Sequence, residues 1–168
     1  MLLVRVRVVL AAAMLAVVFA WSSLAAGPVR DRLDWRSPRI ARAGPLAVAY
    51  PQDWHALSRS GNGLSIASFP LSRRWLDSEQ KSMPADGVFI WAFTYGHMPA
   101  KFAAAFPVRP ARLRLDPKTF AYYECGFNLE GYALRFRDHG YTVQVMVALG
   151  RHADPNAALE VVNRLGVS

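Results

Sequence analysis

The stretch "GYALRFRDHGYTVQVMVALG", Gly131 to Gly150, decides the fold, because its side chains change character with a period of two. Tyr132, Leu134 and Phe136 alternate with Ala133, Arg135 and Arg137. After "DHG", Tyr141, Val143, Val145, Val147 and Leu149 alternate with Thr142, Gln144, Met146 and Ala148. Successive side chains point to opposite faces of a strand, so this pattern describes half-buried strands and not a helix. Asp138-His139-Gly140 suits a three-residue loop with Gly at the left-handed position, and two long strands are expected to pair antiparallel.

The same period runs outward from this hairpin. Leu46, Val48 and Tyr50 share a face before Pro51, and Leu64 and Ile66 oppose Ala67 and Phe69 after the turn-forming Gly61-Asn62-Gly63. "GVFIWAFTYG", Gly87 to Gly96, is apolar on both faces and therefore belongs in the middle of a sheet. At the far end, Asp154 is a good N-cap and Pro155 fits the first helical position. Ala158, Val161 or Val162, and Leu165 then recur at helical spacing before Gly166. A shorter helix is expected over Trp75 to Lys81, and residues 97–118, with four prolines, read as a surface excursion holding at most one short strand. The fold class is therefore α+β: an antiparallel sheet packed against helices, ending in a C-terminal helix.

The first 26 residues carry Arg5 and Arg7 ahead of the apolar run "VVLAAAMLAVVFAWSSLAA". Ser23-Leu24-Ala25 resembles the small-residue site of a cleaved signal peptide, while Val8 to Ala26 is close to the roughly 20 residues that span a bilayer. Both readings stay open. Five arginines in "GPVRDRLDWRSPRIARAG" would favour a cytoplasmic domain if the segment is kept. The order of charged head, apolar core and small-residue site favours export, to a secreted or membrane-anchored extracytoplasmic domain. Residues 27–44, interrupted by Gly27, Pro28, Pro38 and Gly44, read as a basic linker, and residues 45–168 as one domain.

Composition narrows the function classes. The chain has 168 residues, 53% of them hydrophobic, which excludes a disordered protein. Without Arg5 and Arg7, 18 basic side chains face 12 acidic ones, a net charge of +6 that favours anionic partners. Cys125 is the only cysteine, so no intramolecular disulfide forms.

Catalytic motifs are sparse. Asp53 and His55 would share a face of an extended strand, and an aspartate orienting an imidazole is a known acid–base device. No Gly-x-Ser-x-Gly motif accompanies them, and Cys125 in "YYECGF" lacks the helix-opening context that activates a thiol. The simpler reading is a turn at Pro51-Gln52-Asp53 that drops Trp54 into the core. His55, His97, His139 and His152 are scattered, with no metal-ligand spacing. Neither metal nor cofactor is expected. Glu124 and Glu130 have no fixed separation that would assign them glycosidase roles.

Arginine is the more informative residue type. "VRPARLRLDPK" gathers Arg109, Arg112, Arg114 and Lys118, while Arg135 and Arg137 project from one face of a strand. Together they form a candidate basic patch for phosphate or a polyanion, since the guanidinium fork suits bidentate contact. No nucleic-acid module accompanies them, and no nucleic-acid partner is expected.

The order of elements resembles uncharacterised exported bacterial proteins of the PsbP-like, or Mog-type, α/β fold. The likeness is carried by "YPQDW", the hairpin through "GNG", "MPADGVFIWAFTYG", "FRDHGYTVQVMVALG" and the closing "AALEVVNRLGV". The resemblance implies an antiparallel sheet covered by helices on one or both faces, and binding or scaffolding roles more than chemistry. It carries over no functional residue. It departs from the lipoprotein members of that fold, since no cysteine follows the signal-like segment. The expected function is a non-catalytic exported or membrane-tethered domain that binds an envelope protein or an anionic envelope component. The alternative is a small extracytoplasmic hydrolase using Asp53 and His55.

Overall fold

The decisive hairpin forms, but its turn is tighter than expected. A computed structural model of the chain describes residues 33–59, 61–78, 82–95, 100–115 and 131–168. In it β6 (Gly131–Asp138) and β7 (Tyr141–Leu149) pair antiparallel from Asp138↔Tyr141 to Gly131↔Ala148. The loop is therefore only His139 and Gly140, not three residues. Both have positive φ, 46° and 82°, as the hairpin turn that matches strand twist requires. Histidine is among the residues that tolerate this region, which is why the turn closes without Asn or a second Gly.

The structure is α+β with two antiparallel sheets and few helices, where one sheet was expected. The larger has the order β3-β4-β5-β7-β6, with β3 (His55–Arg59), β4 (Gly63–Ala67) and β5 (Val88–Tyr95). The run that is apolar on both faces, β5, sits at its centre, flanked by β4 and β7. Leu64, Ile66, Val88, Ile90, Ala92, Val143, Val145 and Val147 bury one face of this sheet in the main core. Ala67, Phe69, Phe89 and Ala148 form a second cluster on the other face. There α1 (Arg73–Asp77) adds Leu76 and Trp75, whose indole meets Phe69 and Phe89 edge-on. Ser72 caps this helix by accepting from Trp75 N–H, so it starts two residues before the expected Trp75.

The smaller sheet, β1-β2-β8, overturns two expectations. β1 (Arg39–Ala43) lies in the segment read as linker, and pairs with β2 (Leu46–Tyr50) through a two-residue turn at Gly44-Pro45. Ala43 is buried there, whereas Arg39, Ile40 and Arg42 are exposed; the outward arginines gave the strand its linker-like look. The chain also does not end in a helix. α3 (Pro155–Asn163) begins at Asp154, whose carboxylate accepts from Asn156 N–H, and stops at Arg164. Leu165, expected as its last apolar contact, instead opens β8 (Leu165–Val167), which pairs with β2. Ala158, Val161 and Val162 of α3 join Leu46, Val48, Leu165 and Val167 in the main core. The N-terminal signal or anchor segment lies outside the described residues. Among those described, no helix is long and apolar enough to cross a membrane.

Candidate functional site

Among the described residues β6 is the last strand of the larger sheet, and its hydrogen-bonding pattern says which of its groups face away from β7. Asp138 and Tyr141 flank the two-residue turn as a bonded pair, so Asp138, Phe136, Leu134 and Tyr132 direct their backbone groups to β7. Those of Arg137, Arg135 and Ala133 point away from the sheet. The outward pair at Arg137 is taken: its N–H donates to the Pro107 carbonyl at 2.8 Å, and its carbonyl accepts from Arg109 N–H at 2.9 Å. No described residue pairs with the outward groups of Ala133 and Arg135, of which Arg135 is exposed and Ala133 buried at 2%.

The covering segment leaves β6 after Arg109. α2 (Ala100–Ala103) and the turn behind it lead to Phe106, whose carbonyl accepts from Arg137 Nε at 2.9 Å. Past Pro110 the chain bends and inserts Leu113 into the main core, 3% exposed. The amide of Asn163, at the end of α3, holds it there. Asn163 Oδ1 accepts from Leu113 N–H at 2.8 Å, and Asn163 Nδ2 donates to the Leu113 carbonyl at 3.3 Å.

A groove of about 540 Å³ opens where the segment diverges from β6. Leu113, Tyr132, Leu134 and Phe136 make its apolar floor, and Arg112, Arg114 and Arg135 its rim; among the described residues no acidic side chain lines it. Its volume is that of a small-ligand or peptide cleft.

The expected basic residues therefore divide. Arg112 and Arg114 are exposed, and Arg135 is exposed while donating from Nε to Gln144 Oε1 at 3.1 Å. Arg109 is bound into the framework instead. Its guanidinium pairs with Asp138 at 2.8 Å, donates to the Asn163 carbonyl at 3.3 Å and stacks over Phe136. Arg137 is half-buried and bound to Phe106. Lys118 lies outside the described residues.

Sequence reasoning missed the floor. The alternation of Tyr132, Leu134 and Phe136 marked a buried face, but nothing local says that Leu113 and the arginines of 112–114 come to lie beside it. It also missed an aromatic ladder on the opposite face, Trp91-Phe93-Tyr95, with ring centroids 5.0 and 5.2 Å apart. Tyr95 OH donates to Gln144 Oε1 at 2.9 Å, so buried Gln144 links this ladder to Arg135. The adjacency of Asp138 and His139 was visible in the sequence. Asp138 accepts from His139 Nδ1 at 2.7 Å as well as from Arg109.

Asp53 and His55 do not assemble as an acid–base pair. Trp54 N–H donates to the Pro51 carbonyl at 3.1 Å, closing a turn that leaves Asp53 exposed and Trp54 2% exposed in the core. Among the described residues, no hydrogen bond or ion pair joins Asp53 to His55, and neither lines the groove. Among the same residues, no group of three or more His, Cys, Asp or Glu side chains is placed to hold a metal ion. His97, Glu124, Cys125 and Glu130 lie outside them. Comparisons with protein-family models, with characterised proteins and with solved structures found no match to this chain.

Proposed function

We propose that this chain is a non-catalytic binding domain that takes an anionic partner in the groove beside β6. Its setting is the extracytoplasmic side of a membrane, reached through residues 1–26, and its fold is of the PsbP-like type. The observation that carries the reading is the lining of the groove. Among the described residues, three arginines, none of them in an ion pair, ring an apolar floor without a carboxylate. Unpaired guanidinium groups beside a partly dry surface favour an anion more than the same groups fully solvated would. The alternative hydrolase draws no support from the geometry around Asp53 and His55.

Polyglutamate is a suitable probe. The triple variant Arg112→Ala/Arg114→Ala/Arg135→Ala is expected to lose about tenfold or more in affinity, since each partly exposed charge contact is worth up to about 1 kcal/mol. Binding should also weaken as salt is added. The control removes Arg73 and Arg74, both exposed on α1. If the control weakens binding as much as the triple variant, the charge is diffuse and the groove is not the site.

A further inference from the structure

Resting on the reading of residues 1–26 as a membrane segment, we infer that the outer face of the small sheet docks on an anionic bilayer in a chain that keeps this anchor. The face follows from the register. Ile40 and Arg42 stand opposite Ala49 and Ala47, and Ala47 stands opposite Gly166, so these five residues share one side of β1, β2 and β8. The other side is turned inward, where Ala43, Leu46, Val48, Leu165 and Val167 join the main core with α3. The outer side combines a low floor of two alanines and a glycine with Ile40, 62% exposed, and an exposed Arg42. None of the five is acidic, and among the described residues the Arg42 side chain makes no hydrogen bond or ion pair. Lipid head groups suit this composition: an aliphatic side chain enters the interface while guanidinium groups meet phosphate.

Chain length supports placing this face at the bilayer. Leu33 and Trp35 pack against the main core, and Trp35 is clasped at the end of α3. Its indole N–H donates to Glu160 Oε2 at 2.7 Å, and Arg164 stacks over its ring at 3.9 Å. Between Ala26 and Leu33 lie six residues, a length that reaches about 25 Å when fully extended. A kept anchor therefore holds the domain near the head groups and makes docking intramolecular, at high effective concentration.

Charge supplies the preference for anionic lipid. Five arginines stand against two aspartates over residues 27–43. Arg36 and Arg42 are exposed, while Arg39 turns to the other side of β1 and stacks over Tyr50. The Asp34 carboxylate accepts from Arg36 N–H at 3.0 Å. Interfaces between proteins draw on large buried anchors, whereas this face has one aliphatic side chain among small ones, which favours a lipid surface.

The test uses the full chain in lipid nanodiscs, with Cys125→Ser removing the native thiol and an environment-sensitive NBD label at Ile40→Cys. In phosphatidylglycerol discs this label should shift to the blue and be quenched by spin-labelled head groups. The same label at Arg74→Cys, on α1 across the larger sheet, should stay solvent-like. Arg36→Ala/Arg42→Ala should lower the ratio of docked to free domain by about tenfold or more, and Arg73→Ala/Arg74→Ala should leave it unchanged. In phosphatidylcholine discs the Ile40→Cys label should report water.

If the Ile40→Cys label is as exposed to water as the Arg74→Cys label in chains held by the discs, docking is overturned and the groove reading stands. Equal docking on both lipids, or an equal loss in the Arg73/Arg74 control, overturns the assignment to Arg36 and Arg42. A chain that enters neither disc removes the anchor and this inference together, a result on which polyglutamate binding in the groove does not depend.

Discussion

Trp54 is 2% exposed between an exposed aspartate and a half-buried histidine, and this contrast separates structural from chemical roles within three residues. Its indole lies in the main core with Tyr50, Leu64 and Phe136. Trp54→Ala should cost about 3–5 kcal/mol in unfolding free energy, the range for removing a large aromatic from a packed site. Asp53→Asn, on the exposed turn, should change it by less than about 0.5 kcal/mol. Urea denaturation of the two variants measures both effects. The sequence "YPQDWHALS" disclosed this much, because a proline-led turn followed by an indole and an alternating strand is a local pattern. The chemistry it suggested was not local. Whether Asp53 and His55 meet depends on the turn geometry, and the turn separates them.

Elements were legible where their pattern spans enough residues. β5, β6 and β7 have eight or nine residues each, long enough for the period of two to show. β8 has three, and Leu165 fits the helical spacing of α3 as well as the strand spacing with Val167. Local pattern cannot separate those readings, and pairing with β2 decided between them. Asn163 presents the same difficulty. It reads as one more polar residue near a helix end, yet its amide clamps the backbone of Leu113. Asn163→Ala is expected to destabilise the domain by about 1–3 kcal/mol, through the unpaired Leu113 groups left behind. It should also weaken polyglutamate binding, because Leu113 and the neighbouring Arg112 and Arg114 would lose their placement beside β6. Unfolding curves and binding isotherms of the same preparation check the two effects together.

At the scale of the molecule, the main core is closed by strands far apart in the chain. β8 adds Leu165, 2% exposed, and Val167, 7% exposed, and completes the small sheet against β2. Ending the chain after Arg164 should cost about 3–6 kcal/mol, from two buried aliphatic side chains at about 1.5–3 kcal/mol each. Against a domain stability of about 5–15 kcal/mol, that loss should lower the thermal midpoint sharply or abolish the cooperative transition, as near-ultraviolet circular dichroism would register. A truncated chain that melts like the full one would show that the small sheet does not need β8.

The sequence by itself determined the faces of the longer strands, the hairpins at Gly61-Asn62-Gly63 and Asp138-His139-Gly140, the N-cap at Asp154 and the arginine-rich character of 109–114. Each depends on neighbours within a few positions, where alternation, turn residues and capping act directly. Only the tertiary structure decided that β5 pairs with β7, and that β1 and β8 form a second sheet with β2. It also decided which arginines are occupied. Arg109 and Arg112 are three residues apart and look alike in the sequence, but one is bonded to Asp138 and Asn163 and the other rims a groove. The physical reason is that strand order and ion pairing are settled by which distant surfaces bury the most apolar area together, a quantity no local pattern contains.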